Sequence, residues 1–288
     1  MLEKNVLNKG FVRLLNISGA VRRPTEPESN FVSERERNFD AIDTDPAIIA
    51  RTSYNKREQE YTQLQDEALA EYLIRNNHTT PLEFTTIYLE FKMPLFVARQ
   101  VMRHRTASIN EVSGRYVTLP ADWYIPEVVR GKHSGGNKQG SEDNLFEGTQ
   151  GDFKKRLHAA CSYSYQEYEY ALGMGVCPEQ ARMFLHLNHY TQFVWKQDLH
   201  NLMHFLSLRL DEHAQWEVRQ YAEAIYELLK EHLPKSMEWF DTYRRKLDKD
   251  ELEILKELVD SGEYGDITLY PDMFALLTKL AKRQGLKV

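Results

Sequence analysis

The chain has 288 residues, 42% hydrophobic and 28% charged, with a net charge of −6 and a sequence pI near 6.0. Those values describe a soluble globular chain of one large domain or two small ones, and the acidity argues against a general nucleic-acid binder. No apolar run approaches the roughly 20 residues of a membrane span, and the charged start Met1-Leu2-Glu3-Lys4 lacks the apolar core of a signal peptide. Cys161 and Cys177 form no C-x-x-C pair and no disulfide framework, so both are expected to pack as small hydrophobes in a reducing cytoplasm.

In chain order, Phe11 to Ile17 reads as an opening strand closed by Ser18-Gly19, and the charged, proline-bearing residues 22–40 read as a surface loop. Asp45-Pro46 supplies an N-cap and a first-turn proline for a short helix that runs into Thr52-Ser53-Tyr54. A longer helix follows, with Leu64, Ala68, Leu69, Tyr72 and Leu73 at three- and four-residue spacings, and it stops at Asn76-Asn77. Ile87, Leu89, Phe91 and Met93 then alternate with Thr86, Tyr88, Glu90 and Lys92, the pattern of a half-buried strand. Pro94 ends it and opens the helix that delivers Arg103. Residues 130–151 are glycine-rich and poor in apolar side chains, so they read as a mobile surface insertion. A helix from Asp152 to about Leu172 carries a run of tyrosines, of which Tyr163 and Tyr170 share a face and are expected in the core. Next come a helix begun at Cys177-Pro178 and containing Arg182, a strand over Asn188–Trp195, and a helix capped by Asp198 and running to about Leu210. A further helix spans Ala214 to about Leu233, and the last 40 or so residues, from Lys246, suggest helical pieces and a tail. The sum is an α+β fold, one antiparallel sheet packed with long helices in a single domain.

The densest chemistry lies between Arg103 and Tyr116, R-H-R-T-A-S-I-N-E-V-S-G-R-Y, and a strand-like run is expected after it. Arg103, Arg105 and Arg115 offer forked, permanently charged donors for phosphate or carboxylate. Ser113-Gly114 adds a hydroxyl and a backbone that a ligand can approach closely. Read as bare residues, the stretch is more simply a charged helix end followed by a solvated loop. Arg209, set in Leu206-Ser207-Leu208-Arg209-Leu210, either snorkels to solvent or pairs with a specific partner. His200 and His204 stand four apart on one helix face, a spacing open to a metal, though Ser207 and Asp211 extend the same face as ordinary polar surface. Arg182 on its own reads as a surface charge.

The order R-H-R, seven residues, then Ser113-Gly114-Arg115-Tyr116, with Asn110-Glu111 between, resembles the signature of the flavin-dependent thymidylate synthases. His78-Thr79-Thr80-Pro81 resembles a second motif of that family, as do the leucine-flanked Arg209 and His213-Ala214-Gln215-Trp216-Glu217 after it. The resemblance covers roughly residues 10–235. It implies one catalytic domain over residues 1–288, with 246–288 as a C-terminal extension. It also implies reductive methylation of dUMP to dTMP, with 5,10-methylenetetrahydrofolate giving the carbon and NADPH-reduced FAD the hydride, and no cysteine nucleophile. On dUMP it places Gln100, Arg103, Glu111, Ser113, Gly114, Arg115, Arg182 and Arg209, with Arg209 at the pyrimidine as the catalytic residue. On FAD it places Ser53, His78, Thr80, Arg103, His104, Arg105, Glu111, Asp198, His200 and His204. The family often has asparagine and arginine where this chain has Asp198, His200 and His204. No resident metal is implied, no nucleic-acid or membrane partner, and a homotetramer whose sites are shared between subunits. Two other classes compete. A metal-dependent hydrolase on His200, His204 and His213 predicts bound metal and chelator sensitivity, and a nucleotide-sensing or RNA-binding module on the arginines predicts no turnover and a steep salt dependence.

Overall fold

The computed structural model describes residues 2–19, 39–56, 59–132 and 141–245. Nearly all of the predicted 22–40 loop, the glycine-rich centre of the predicted insertion at 133–140, and the predicted tail from residue 246 lie outside them. The elements are β1 Glu3–Val6, β2 Gly10–Ser18, α1 Asp45–Ala50, α2 Gln63–Arg75, β3 Thr86–Pro94, α3 Leu95–Val101, β4 Ala107–Glu111, β5 Arg130–Lys132 and β6 Ser141–Asn144. They continue with α4 Glu147–Gly173, α5 Pro178–Ala181, β7 Tyr190–Asp198, α6 Leu199–Arg209, α7 Trp216–His232 and α8 Pro234–Tyr243.

Five strands form one antiparallel sheet in the order β1-β2-β3-β7-β4. The alternation read in β3 is the observed one: Ile87, Leu89, Phe91 and Met93 are fully buried. Opposite them on β7 stand Phe193 and Trp195, paired with Phe91 and Leu89. A β-bulge between Leu14 and Asn16 keeps Ile17 on the same face as Val12 and Leu14, where strict alternation would have sent Asn16 inward. On that face lie α6 and α7. Along α7, Val218, Tyr221, Ala222, Ile225, Leu228 and Leu229 are buried at the three- and four-residue spacing of a helix stripe. Tyr221 also donates its hydroxyl to the Lys92 carbonyl at 2.7 Å, satisfying its polar end inside the core.

Several expectations differ from what the chain does. The N-cap of α1 is Thr44, with Asp45 already inside the helix. In α2 the buried set is Asp66, Ala70, Leu73 and Ile74, while Leu64 and Tyr72 are exposed. The helix turns that face inward because Asp66 pairs with the Arg51 guanidinium, itself stacked over Tyr61. In α4 the predicted core tyrosines Tyr163 and Tyr170 are 65% and 64% exposed, and it is Tyr168 that is fully buried, with Tyr165 half-buried beside it. The 130–151 segment contains a short β5–β6 pairing and the first turn of α4. A further helix, α8, follows Pro234 and drives Met237, Trp239 and Phe240 into the core, so the packed domain reaches past residue 235. Cys161 is buried, whereas Cys177 is exposed.

Candidate active site

Pro94, extended and pre-set in φ, caps α3 and directs it off the end of β3. The helix ends at Val101. Arg103 and His104 turn their backbone N–H groups back to Gln100 (3.3 Å) and Val101 (3.1 Å), and the chain then leaves the helix. Arg103, His104 and Arg105 therefore occupy a turn and not a continuing helix. Beyond them β4 pairs with β7, from Ala107 opposite Gln197 to Glu111 opposite Phe193. The strand thus lies inside the motif, and the run after Tyr116 forms none. β4 is an edge strand of mostly exposed residues, held by backbone pairing, so its sequence carries no inside–outside alternation to read.

Arg209, the last residue of α6, is half-buried and donates from Nε to His104 Nε2 at 3.3 Å. It is thus tied to a specific partner. The His104 ring packs edge-on to Phe205 (4.8 Å between centroids) and toward His204 (6.2 Å). Burial, then Arg209, then His204 lower the His104 pKa from 6.5 to about 4, so at neutral pH its Nε2 lone pair is free to accept. Arg209 is itself held below the ordinary arginine value by burial and by Arg103. The two fixed charges gathered here, Arg209 and Arg103, are both cationic, which makes the end of α6 a place suited to an anion or to developing negative charge.

Beside it opens a cavity of about 1150 Å³, lined by Gln100, Arg130, Phe153, Arg209, Gln215 and Trp216 among others. Across its wall runs a hydrogen-bonded chain. Gln100 Nε2 donates to Gln215 Oε1 (2.5 Å), and Gln215 Nε2 donates to Glu217 Oε2 (2.9 Å). Glu217 Oε1 accepts from Arg130 Nη2 (2.7 Å) and from the Tyr124 hydroxyl (3.4 Å). Arg130 lies 4.5 Å over the Trp216 ring. Of these, sequence reasoning singled out only Gln100. The signal that was there is the His213–Glu217 segment, matched as a motif without roles for its members. Arg130 was hidden in the presumed insertion.

A second group forms at the far end of β4. Ser113 Oγ accepts from the Arg115 backbone N–H (3.3 Å), and Arg115 pairs with Glu179 of α5 (2.9 Å). Gly114 is buried; a Cβ there would sit 2.9 Å from a Leu119 methyl and 3.3 Å from Arg182 Cδ, so Arg182 lies directly against it. Glu111, exposed at the end of β4, accepts from the Thr191 hydroxyl (2.5 Å). None of Ser113, Gly114, Arg115 or Arg182 lines the cavity that holds Arg209.

The third group surrounds the start of α6. Asp198 caps the helix, with both carboxylate oxygens accepting from Asn201 (2.8 and 2.7 Å). The Leu199 N–H donates to the Thr85 carbonyl (2.9 Å), which seats α6 on the 3-10 turn Thr80–Phe84. His200 Nδ1 is buried without a hydrogen-bond partner, and burial, then Arg244, keep that imidazole neutral. The turn holding exposed Thr80 packs on α6, exposed His204 lies one turn on from His200, and Arg103 and Arg105 are exposed in the turn after α3. An orphaned ring nitrogen beside Arg244, with the Thr80 turn packed on the same helix, fits a ligand with both an anionic linker and a polar ring system, as FAD has. His78, exposed and edge-on to Tyr72 (5.6 Å), stands just before that turn, while Ser53 is exposed in the 3-10 turn after α1. His213 bonds to Asp211 (2.8 Å) and stands away from the His200–His204 pair. Among the described residues no group of three or more His, Cys, Asp or Glu could hold a metal ion, and no helix is long and apolar enough to cross a membrane.

The family model described as thymidylate synthase complementing protein matches residues 38–235. A flavin-dependent thymidylate synthase of Thermus thermophilus is 41% identical over 264 residues, which cover 90% of this chain and 87% of that one. Its counterpart in Wolbachia pipientis is 42% identical over 229 residues, 77% of this chain and 80% of that one. Among solved structures, a UMP/dUMP methylase from Streptomyces cacaoi, crystallised with 5-Br dUMP, superposes with a TM-score of 0.68 at 24% identity, covering 83% of this chain and 98% of that one.

Proposed function

The chain belongs to the flavin-dependent thymidylate synthase family, and on that premise we propose that it methylates dUMP to dTMP with carbon from 5,10-methylenetetrahydrofolate and reducing power from NADPH. FAD, held by the α6 start and the Arg103–Arg105 turn, supplies the hydride when bound. The observation that carries the reading is the Arg209–His104 pair at the mouth of the cavity.

For the pyrimidine to attack a one-carbon unit, electron density must build on its ring. Arg209, half-buried among cations and oriented by a neutral His104, stabilises that density without reorganising during the reaction. Gln100 and Arg103 flank it, and Arg115, Arg182 and Ser113 bind the nucleotide phosphate through donors gathered at Gly114. Cys161 accepts from and faces Asn188 (3.2 Å), its thiol pushed up by burial, which supports chemistry without a thiolate. The separation of the Arg182 group from the Arg209 cavity supports sites shared between the subunits of a homotetramer.

The test is the visible spectrum and product analysis of purified protein. A yellow protein is expected, bleached by NADPH, forming dTMP only when dUMP and 5,10-methylenetetrahydrofolate are both present. Folded protein that takes up no FAD, or that forms no dTMP when loaded with it, refutes the reading.

A further inference from the structure

We propose that Gln215 and Glu217 are positioning residues that fix the side-chain amide of Gln100 in one orientation, so that the site presents a hydrogen-bond acceptor to the nucleotide's 3′-hydroxyl. The inference rests on dUMP being the substrate and adds how the sugar is selected.

An amide side chain is ambiguous, because its two ends are nearly the same shape and differ only in donating or accepting. The chain of bonds along the cavity wall removes the ambiguity. Glu217 is buried and ion-paired with Arg130, and a paired carboxylate only accepts. Gln215 must therefore turn its NH₂ toward Glu217, which leaves its Oε1 facing Gln100. Gln100 must in turn donate from its own NH₂, which leaves its Oε1 as the free end at the cavity. Polarity set at a buried charge is thus passed through two amides to the surface that a ligand meets.

Two features support a function beyond stability. Gln215 occupies the N-cap position of α7 yet makes no capping bond with its side chain. Its amide is committed to the relay and not to the helix. Glu217 is held from two sides, by Arg130 and by a Tyr124 hydroxyl whose pKa burial and Glu217 itself raise, so that it stays a donor. A carboxylate in the first turn is also favoured by the helix dipole, which keeps the anchor charged.

dUMP, lacking a 2′-hydroxyl, offers two neutral donors, the base N3–H and the 3′-hydroxyl. The base end belongs to Arg209, where negative charge is to be stabilised, and a carbonyl oxygen placed there would oppose it. The acceptor of Gln100 is suited to the hydroxyl.

The experiment compares dUMP with 2′,3′-dideoxyuridine monophosphate in the FAD-loaded wild type, in Glu217→Gln and in Gln215→Met. Binding is followed by calorimetry and turnover by dTMP or dideoxy product. The wild type should bind dUMP about tenfold more tightly than the dideoxy analogue, the scale of one well-placed hydrogen bond. In both variants that preference should shrink toward unity, through a raised KM for dUMP with kcat within about threefold of wild type. Gln215→Met leaves the buried ion pair intact, so it answers even if Glu217→Gln folds poorly. A preference that persists in the variants overturns the relay, and a wild type that does not discriminate overturns the 3′-hydroxyl assignment. Wild type that binds both nucleotides with the expected preference but makes no dTMP refutes the proposed reaction and leaves the relay standing.

Discussion

His104 makes the Arg209 site sensitive to acid, and the sign follows from its environment. Burial, Arg209 and His204 all disfavour the imidazolium, and its pKa falls from 6.5 to about 4. Between those values the unfolded chain binds a proton that the folded chain refuses. The stability held by neutral His104 is therefore complete above about pH 6.5 and is lost as the pH falls toward 4. Integrated from pH 7 to pH 5, the full shift corresponds to about 2 kcal/mol, and because the ring is only half-buried, solvent screening reduces that to about 1 kcal/mol. The perturbation is His104→Gln, which removes the titration and keeps an acceptor for the Arg209 Nε–H. Urea unfolding at pH 7 and pH 5, at fixed protein concentration and FAD loading, should show the wild type losing about 1 kcal/mol more than the variant. His189 and His200 are also held neutral by burial, so the wild type alone falls by more than His104 accounts for, and the difference between the two proteins isolates it. Identical pH dependences in wild type and variant, or a wild type that gains stability at pH 5, would refute the reasoning.

Arg209→Ala should slow single-turnover dTMP formation by two to three powers of ten, about the loss seen when one preorganised donor is removed, while flavin reduction by NADPH without dUMP changes little. Arg209→Lys should restore only part of that rate, since the ammonium lacks the planar fork, and a collapse of both half-reactions in a folded variant would deny Arg209 its role. Arg182→Ala and Arg209→Ala, each strongly slowed alone, should regain activity when co-expressed, because some shared sites would then be assembled from the intact residue of each chain. Co-expressed oligomers as slow as the parents would place both residues in one subunit's site.

The elements most legible in the sequence were those whose burial is one-sided. The Ile87–Met93 alternation and the Asp198 cap are set by local periodicity and local hydrogen bonding, and both stand where they were read. What misled was tertiary. Tyr163 and Tyr170 are aromatic residues on one face of a helix, but α4 meets the rest of the protein through Tyr168 and Cys161, and no periodicity of the helix alone reveals which face is covered. α2 was misread by the same kind of override: the Arg51–Asp66 ion pair turns a charged position inward. β4 went unread because an edge strand of polar residues is specified by the strand beside it. In the site, the R-H-R motif was plain, whereas Arg130 and Tyr124 act through Glu217 from 87 and 93 residues away in sequence. Only folding makes them neighbours.

The placement of β4 bears on how the site is completed. Its five residues run extended at about 3.3 Å each, so the turn holding Arg103 and His104 and the Ser113–Arg115 segment stand roughly 15 Å apart along one chain. At the first end His104 is bound to Arg209, and at the second Arg182 lies against Gly114 while Arg115 pairs with Glu179. In the proposed function, with sites shared between subunits, a mononucleotide held at the base by Arg209 would place its phosphate in the cradle of a second copy. β4 is also an edge strand, mostly exposed, with Ile109 and Val112 open to solvent beside it. An exposed edge that carries half of a binding motif is costly to leave bare. A second copy laid against it would cover the edge and bring a cradle toward the Arg209 cavity. In that proposal the seven residues between R-H-R and Ser113 give the strand that would hold two halves of two different sites apart.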